Sequence, residues 1–451
     1  MGRTIVVGAG ICGLAAARAC RGGGDEVLLL EAGEAPGGVI RSERRDGYLL
    51  ERGPNTLALR AGHSTEYLEE IGLLDEVVDA NPEANKRFLV RDGRPVAAPS
   101  SPPALFGSPL LSLCGKLRLL LEPFLPRGKN RANESVADFF RRRLGREALN
   151  YGANPFVAGV YAARPETLIL RHAFPTIHEL EGEHRSLMLG GMRAAKRRKK
   201  RGLPKTRLVS FREGLGELPH RLAKELGAAV RLKATVRKIS REGEDWLLTY
   251  EKEGEVAEER AERLVCSIPA HRLNALEWEN LGEAESLSIL AAAPHHPVAV
   301  LYHGFRREDV GHALDGFGFL VPEKENLGIL GTLFSSTLFP GRAPEGHVLL
   351  TTFVGGERQP DFARLEDDAL HDLALKDLRG LLDVRADPSF RNLVRWPHAI
   401  PLPDSGQDAR LAAAERLQAA NPGLHLAGSH LTGASIPACL EGSDSMTFSH
   451  G

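Results

Sequence analysis

Three glycines near the amino terminus have the spacing of a nucleotide-binding loop. Gly8, Gly10 and Gly13 follow the apolar residues 5–7 and precede an alanine-rich segment at 14–20. A dinucleotide-binding motif requires this succession of strand, turn and helix, because the glycines let backbone amides at a helix N-terminus approach a pyrophosphate. We therefore predict a pyrophosphate-binding loop. Its expected contact residues are Gly8, Ala9, Gly10, Ile11, Cys12 and Gly13.

An acidic residue follows the second predicted strand. Residues 26–30, EVLLL, are typical of a buried strand, and Glu31 comes directly after them. About 20 residues beyond the glycines, a carboxylate can accept hydrogen bonds from both hydroxyls of an adenosine ribose. A carboxylate at this place also disfavours a 2′-phosphate. The sequence therefore predicts an ADP-containing cofactor, with NAD and FAD as the candidates.

The residues after Glu31 distinguish between these two cofactors. The segment 31–42, EAGEAPGGVIRS, places the pair Gly37 and Gly38 shortly after the acid. It resembles the flavin-dependent amine oxidase superfamily, in which this part of the chain passes close to the phosphates and the ring system of the cofactor. The resemblance implies FAD. It adds the following expected contacts: Glu31, Ala32, Gly38, Val39, Gly53, Pro54, Asn55 and Thr56.

Further segments narrow the resemblance to the protoporphyrinogen oxidase family. They are ERGPNT at 51–56, PFVAGVYA at 155–162, HRSL at 184–187, SFREGL at 210–215, LDGFGFLVP at 314–322 and LFSSTLFPG at 333–341. The resemblance covers essentially the whole chain. It implies oxidation of protoporphyrinogen IX to protoporphyrin IX in haem biosynthesis, with dioxygen as the acceptor and a quinone as an alternative. There are three other hypotheses. The enzyme oxidises coproporphyrinogen III to coproporphyrin III, or it is another oxidoreductase of the superfamily, an amine oxidase or a carotenoid desaturase, or the protein binds porphyrins or lipid without being an enzyme.

The same resemblance implies the remaining site residues. The additional cofactor contacts are Val236 at the adenine, Trp396 near the flavin, and Ala434, Ser435 and Ile436 at the pyrimidine edge of the ring. The substrate contacts are Gly159, Phe317, Leu320 and Phe353. Trp396 is equally compatible with a core position. No side chain is expected to act as a catalytic acid or base, because the flavin accepts the hydride. Some members of the family carry an arginine near position 99 that pairs with a substrate propionate, and this chain has none there. The candidate partners of the propionates are therefore other arginines: Arg87, Arg91 or Arg94.

Composition and charge exclude several classes of protein. Lys and Arg total 58 against 59 Asp and Glu, and the formal net charge is −1, which argues against a general nucleic-acid binder. The five cysteines form no metal-ligand spacing, so we predict free thiols and no metal. No apolar run reaches the roughly 18 to 20 residues of a membrane-spanning helix. Without a signal-peptide pattern, we expect a cytoplasmic protein, peripheral at the inner face of the membrane.

The predicted fold class is α/β. We expect a discontinuous, Rossmann-like FAD-binding domain made of residues 1–60, 205–270 and 395–451. Residues 61–204 are predicted to form a helical, membrane-facing insert. Residues 271–394 are predicted to form a mixed-sheet substrate domain, whose antiparallel strands cover the flavin. The basic run RAAKRRKKR at 193–201 is predicted to be a solvated loop, with attraction to anionic lipid as the alternative. The resemblance also suggests a homodimer.

Overall fold

The computed structural model describes residues 2–99, 102–128, 131–202 and 204–444. In chain order its strands are β1 (Arg3–Val7), β2 (Glu26–Leu30), β3 (Ser42–Arg45), β4 (Tyr48–Glu51), β5 (Leu57–Leu59), β6 (Val77–Asp79), β7 (Lys86–Arg91), β8 (Arg94–Ala97), β9 (Arg207–Phe211), β10 (Val230–Arg231), β11 (Ala234–Glu242), β12 (Asp245–Lys252), β13 (Glu255–Ala261), β14 (Arg263–Cys266), β15 (Glu277–Glu279), β16 (Val298–Arg306), β17 (Gly316–Leu320), β18 (Ile329–Phe334), β19 (His347–Gly355), β20 (Phe390–Trp396) and β21 (Leu424–Leu426).

The α-helices are α1 (Ile11–Gly22), α2 (His63–Glu70), α3 (Pro102–Gly107), α4 (Leu113–Leu120), α5 (Val136–Arg143), α6 (Arg146–Ala148), α7 (Asn154–Tyr161), α8 (Leu170–Ala173), α9 (Pro175–His184), α10 (Leu187–Lys200), α11 (Glu217–Leu226), α12 (Glu285–Ala291), α13 (Ser335–Leu338), α14 (Asp367–Leu382), α15 (Gln407–Ala420), α16 (Ser429–Thr432) and α17 (Ile436–Asp444). Short 3-10 helices and a π-helical turn at Leu149–Ala153 connect several of them.

A five-stranded parallel sheet carries the predicted nucleotide-binding loop. Its strand order is β10-β2-β1-β14-β21, and every neighbouring pair is parallel. Successive residues of β1 point to opposite faces, so Val6 packs with helix α1 while Ile5 and Val7 pack with strands β11 and β12. Burial on both faces explains why the central strands are continuous apolar runs. The predicted Rossmann-like α/β class is confirmed.

A seven-stranded sheet forms the second large unit, in the order β20-β16-β19-β18-β17-β7-β8. Its neighbours are antiparallel except β17 and β7, which are parallel. The sheet is therefore mixed, as the predicted fold class has it, and most of its strand pairs are antiparallel. Along β19, Leu350 and Val354 face a core shared with helix α14, whereas Leu349 and Phe353 face the opposite side. This second face is the one that meets helix α7.

The predicted helical insert at 61–204 needs a correction. Strands β7 and β8 lie inside this range but belong to the seven-stranded sheet. Phe88 and Val90, two residues apart, point to the same face of this sheet and fill its core. Helices α5, α7, α8 and α9 and the start of α10 pack around Val136 and Phe139. The division of the chain into three domains stays a prediction, and residues 445–451 of its last segment lie outside the described residues.

The basic run at 193–201 was predicted to be a loop, and this is wrong. Residues up to Lys200 form the exposed C-terminal half of α10, since alanine, lysine and arginine are good helix formers. The start of this helix is fixed by Glu122, whose carboxylate accepts hydrogen bonds from the backbone N–H of Leu187 (2.9 Å) and Met188 (3.3 Å). Within the described ranges, no helix has the length and apolar character needed to cross a bilayer.

A buried histidine pair lies between β16 and α14. His303 Nε2 and His371 Nδ1 are 2.9 Å apart, and both rings are buried. Burial, reinforced by the neighbouring His371, lowers the pKa of His303 to about 3. Burial also lowers the pKa of His371. Both imidazoles are therefore neutral in the folded protein at neutral pH.

This pair predicts a loss of stability in mild acid. In the unfolded chain the imidazole of His303 binds a proton near pH 6.5, whereas in the fold it stays neutral down to about pH 3. The unfolded state then binds more protons below pH 6.5, which costs about 1.4 kcal/mol per pH unit for each such group. We expect the urea midpoint to fall between pH 6.5 and 4.5, and to fall less steeply in His303→Leu. Equal slopes for the two proteins would contradict the assignment.

Candidate active site

The predicted pyrophosphate-binding loop is built on two backbone contacts. The Gly8 N–H donates to the carbonyl of Leu30 at 2.8 Å, and Gly8 has a φ of +100°, which glycine adopts without steric cost. A Cβ on Gly13 would stand 1.9 Å from the carbonyl oxygen of Gly8, so α1 packs directly on the loop. In front of Gly10 there is open space, since a Cβ added there would meet nothing within 4 Å. The first amides of α1 border this space.

Glu31 links the end of β2 to the loop. Its Oε2 accepts a hydrogen bond from the Ala9 N–H (2.6 Å), and its Oε1 accepts one from the Gly33 N–H (2.7 Å). The Ala234 N–H donates to the backbone carbonyl of Glu31 at 2.8 Å, which places β11 next to this corner. Val236 lies two residues further on with its side chain in the core. The structure thus brings Ala9, Glu31 and the start of β11 together.

The two segments after Glu31 also meet at the loop. The Gly37 N–H donates to the carbonyl of Ala9 at 2.7 Å. A Cβ on Gly53 would stand 2.1 Å from the carbonyl oxygen of Val39, so the segments 37–39 and 53–56 run against each other. The Val39 side chain is 51% exposed, which leaves an apolar surface where a flat ring can pack.

Trp396 lies beside the same segments. Its indole N–H donates to the carbonyl of Arg52 at 2.7 Å, and its ring is half-buried in a cluster that includes Tyr48 and Phe353. The sequence left open whether Trp396 is near the flavin or in the core. Its position at the boundary between strand β20 and the residues before Gly53 is compatible with both roles, and a flavin contact stays a prediction.

A second helix begins next to α1. The Ser435 hydroxyl accepts a hydrogen bond from the Ala438 N–H at 3.3 Å, and this caps the start of α17. Ile436 packs in the same buried cluster as Ile11 of α1, while Ala434 and Ser435 remain exposed. The N-termini of α1 and α17 are therefore adjacent, and both present partial positive charge.

Arg41 is a further candidate for the cofactor site, and the sequence reasoning missed it. Its Nε atom is buried and has no hydrogen-bond partner in the described part of the chain. A Cβ on Gly33 would stand 2.9 Å from Glu31 Oε1 and 3.4 Å from Arg41 Nη2, so the guanidinium lies beside the acid. The signal for it is a basic residue three positions after the Gly-Gly pair. A cation here, two helix N-termini and the open space at Gly10 fit the diphosphate of FAD.

Comparison with known proteins agrees with this geometry. Residues 11–443 match the family model described as flavin containing amine oxidoreductase. The chain belongs to this family. It is therefore a flavin-dependent oxidoreductase with FAD as cofactor, and the predicted cofactor and class of enzyme are confirmed.

The similarity between this flavoenzyme and its relatives covers nearly its whole length. The mitochondrial protoporphyrinogen oxidase of Nicotiana tabacum is 34% identical, over 97% of this chain and 92% of the relative. The coproporphyrinogen III oxidase of Bacillus subtilis is 28% identical, over 98% of each chain. The crystal structure of a candidate protoporphyrinogen oxidase from Exiguobacterium sp. 255-15 has a TM-score of 0.83 at 25% identity, and covers 99% of this chain and 98% of that one.

Three of the four predicted substrate residues lie where helix α7 meets the second face of the seven-stranded sheet. A Cβ on Gly159 of α7 would stand 2.5 Å from Leu320 Cδ2, and a Cβ on Gly331 would stand 3.1 Å from the same atom. Gly331 pairs with Phe353 across strands β18 and β19. Gly159, Leu320 and Phe353 therefore lie together. Phe317 instead packs with Ala84, Leu338 and Phe339.

Of the three candidate arginines, Arg87 lies at a predicted substrate residue. A β-bulge between Gly316 and Gly318 shifts the pairing with β7, and the guanidinium carbon of Arg87 lies 5.2 Å from the centre of the Phe317 ring. The Arg87 side chain is exposed. Arg91 is engaged elsewhere, since it lies 4.3 Å from the Tyr151 ring centre and donates to a backbone carbonyl. Arg94 is exposed at the end of the next strand.

A buried ion pair next to the 53–56 segment is another feature that the sequence reasoning missed. Glu51 Oε1 and Arg342 Nη2 are 3.2 Å apart, and their side chains are 5% and 2% exposed. The Glu51 carboxylate also accepts hydrogen bonds from the Ser42 hydroxyl (2.5 Å) and the Leu215 N–H (2.9 Å). Burial raises the pKa of the Glu51 carboxyl, and the Arg342 charge opposes that rise. The pair joins strand β4 to the residues that precede β19.

Proposed function

We propose that this enzyme oxidises protoporphyrinogen IX to protoporphyrin IX, with dioxygen as the final electron acceptor. The observation that carries the proposal is an apolar wall made by Gly159, Leu320 and Phe353, with the Arg87 cation beside Phe317. A tetrapyrrole that is largely apolar and carries propionates at one edge complements such a surface. The names of the relatives support the same class of substrate.

The protein residues bind and orient the substrate. FAD, when bound, supplies the hydride acceptor. Helix α7 ends at Tyr161, and the carbonyl of Gly159 lies in its last turn, where carbonyls lack intrahelical partners. This oxygen can accept a hydrogen bond from a pyrrole N–H and so hold the nitrogen that loses a proton. Leu320 and Phe353 exclude water from the same place.

The number of cationic side chains near the proposed substrate site indicates which of the two porphyrinogens fits better. Coproporphyrinogen III carries four propionates and protoporphyrinogen IX carries two, so the former needs more cationic partners. Arg87 is exposed next to Phe317, whereas Arg91 is held by Tyr151 and a backbone carbonyl. This arrangement favours the substrate with fewer propionates.

The proposal is tested by adding protoporphyrinogen IX to the purified enzyme without oxygen. We expect the absorbance of the oxidised flavin to fall in step with the rise of porphyrin fluorescence, because anaerobic conditions prevent autoxidation of the substrate. Coproporphyrinogen III in a parallel sample ranks the two substrates. An unchanged flavin band with both compounds would overturn the proposal, and faster bleaching by coproporphyrinogen III would reverse the ranking.

Arg87 provides a prediction about substrate binding. In Arg87→Ala we expect a KM for protoporphyrinogen IX about tenfold higher, since a hydrogen bond to a charged group contributes about 1.5 kcal/mol or more. The kcat and the FAD content are expected to stay close to those of the wild type. Arg94→Ala, which removes an exposed arginine of the neighbouring strand, is the matched control. Equal KM values for the two variants would contradict the role of Arg87.

We also propose that the enzyme docks on a membrane surface through an apolar patch of its helices. The patch consists of the exposed side chains Leu113, Leu117, Leu121, Phe124, Met188 and Met192. The first four recur at three- or four-residue spacing, so the helical turns of 113–124 place them on one side. The basic half of α10 continues from Met192. Apolar area together with adjacent cations favours binding to anionic lipid.

Vesicle binding tests the docking surface. We expect the wild type to sediment with vesicles of phosphatidylglycerol and phosphatidylcholine, and Leu117→Glu/Phe124→Glu to remain in the supernatant, because two charges oppose insertion. The control is Val256→Glu, which alters an exposed apolar residue of strand β13 and is expected to bind as the wild type does. If the double variant still sediments, the patch is not the docking surface.

A further inference from the structure

The loop that follows strand β19 holds both ends of helix α7. At the N-terminal end, Arg358 Nη2 donates to the backbone carbonyl (2.8 Å) and to the side-chain Oδ1 (2.6 Å) of Asn154. At the C-terminal end, the Glu357 N–H donates to the carbonyl of Ala162 at 2.8 Å. Strand β19 and helix α7 both carry predicted substrate residues, so this loop connects two parts of the proposed substrate site.

Arg358 connects helix α7 to strand β17 as well. Its Nη1 donates to the carbonyl of Val321 at 2.7 Å, and Val321 directly follows Leu320, the last residue of β17. The Asn154 Oδ1 that binds Arg358 also accepts a hydrogen bond from the Glu323 N–H at 3.0 Å. One guanidinium thus ties the start of α7 to the end of the strand that carries Leu320.

The hydrogen bonds of Arg358 are made in a buried setting. Asn154 is 8% exposed, so water does not readily replace its partners. Burial lowers the pKa of the Arg358 guanidinium to about 10, and the Glu323 charge opposes this shift. The guanidinium is therefore protonated at neutral pH, and hydrogen bonds from a charged donor are stronger than those between neutral groups.

We propose that Arg358 is a positioning residue, which holds α7 against β17 and so sets where the carbonyl of Gly159 meets the substrate. This inference rests on the proposed function, since it concerns the same site. The approach of the two elements is close, because a Cβ on Gly159 would stand 2.5 Å from Leu320 Cδ2. A small movement of α7 therefore changes the space for the macrocycle. Arg358 acts through the helix and not on the substrate itself.

The loss of Arg358 is expected to affect kcat more than KM. Leu320 and Phe353 belong to the sheet and still bind the macrocycle, whereas the displaced carbonyl of Gly159 no longer holds the pyrrole N–H. In Arg358→Met we expect kcat to fall about 100-fold, as for a displacement of about 1 Å, with KM within about threefold of the wild type. FAD content is expected to stay unchanged. Arg358→Lys keeps the charge and part of the bonding, so its kcat is expected to lie between the two.

Arg307→Met is the matched control for a loss of stability. Arg307 also donates to three backbone carbonyls, those of Val310 (2.7 Å), His312 (3.0 Å) and Ala313 (3.0 Å). Val310 belongs to the core on the α14 side of the sheet, opposite α7. We expect a lower urea midpoint in both methionine variants and a loss of kcat only in Arg358→Met. An equal loss of kcat in both variants, or a wild-type kcat in Arg358→Met, would overturn the proposal.

Gly356 allows the other end of α7 to be tested while Arg358 is kept. Gly356 has a φ of +66°, and a Cβ there would stand 2.5 Å from the carbonyl oxygen of Ala162. Gly356→Ala therefore pushes the end of the helix away. Gly346→Ala is its control, because Gly346 has a similar φ of +74° and a Cβ there meets nothing within 4 Å. We expect a lower kcat only in Gly356→Ala. Equal kcat values would show that the placement of α7 does not set the rate.

Hydrogen exchange provides a readout that needs no substrate. It is measured by mass spectrometry on the FAD-loaded enzyme, for peptides that contain residues 154–161. We expect their amides to exchange faster in Arg358→Met than in the wild type, and as in the wild type in Arg307→Met, because local opening depends on the contacts that hold the helix. Unchanged exchange in Arg358→Met would overturn the proposal.

The activity of the wild type separates this proposal from the proposed function. If the wild type oxidises protoporphyrinogen IX and Arg358→Met does so with the same kcat, only the positioning role is wrong. If the wild type oxidises neither porphyrinogen, the proposed function is wrong, and the positioning role for that reaction is wrong with it.

Discussion

Gly13→Ala is expected to yield a protein that is purified almost without FAD. The new Cβ would stand 1.9 Å from the carbonyl oxygen of Gly8, and backbone cannot move aside as the end of a flexible side chain can. Helix α1 must therefore shift away from the loop, which displaces the amides that border the open space at Gly10. Such overpacking costs about 1 to 3 kcal/mol, which corresponds to FAD binding weaker by about 5- to 150-fold.

The measurement is the ratio of flavin to protein absorbance after purification, followed by titration with FAD. Gly22→Ala is the matched control, because the same substitution at the other end of α1 meets nothing within 4 Å. We expect this control to retain FAD fully. A yellow Gly13→Ala protein with the affinity of the wild type would show that the close approach of α1 to the loop is not needed for binding.

Elements formed by neighbouring residues were predictable from the sequence. Strand β1, helix α1 and strand β2 follow from apolar runs and from the glycines between them. Ser135, which accepts a capping hydrogen bond from the Asp138 N–H at 3.0 Å, is likewise a local start signal for helix α5. The placement of β7 was not predictable, since it depends on pairing with β17 far along the chain. The loop prediction for residues 193–201 is wrong because the same alanine, lysine and arginine residues that give the run its charge also have high helix propensity.

The candidate site was also predictable only where it is formed by residues close in sequence. Its backbone parts lie within short motifs, so Gly8, Gly13 and Glu31 could be named together with their neighbours in sequence. The cations could not be placed, because Arg41, Arg87 and Arg342 acquire their roles from partners in other elements. Spacing along the chain carries no information about such contacts. They depend on how the two large sheets are packed, which a single sequence does not specify.

Arg342→Met is expected to lower the free energy of unfolding by about 3 to 5 kcal/mol, because it leaves the Glu51 carboxylate buried without its cation. The side chains of both residues are almost fully inaccessible, so water cannot replace the lost partner. Arg342 also donates to the Ser210 hydroxyl at 2.6 Å, and this bond is lost as well. The urea midpoint measures the change. Arg364→Met, which removes an exposed ion pair with Asp361, is expected to leave the midpoint unchanged.

A double variant separates the charge from the packing of Arg342. If the uncompensated carboxylate is the cause, Glu51→Gln/Arg342→Met should be more stable than Arg342→Met alone, because the amide removes the buried charge and still accepts the Leu215 N–H. If the loss comes only from the volume of the arginine, the second substitution should add to the damage. A higher urea midpoint in the double variant than in Arg342→Met would thus show that Arg342 stabilises the fold by compensating the charge of Glu51. A lower midpoint would show that Arg342 stabilises the fold by packing.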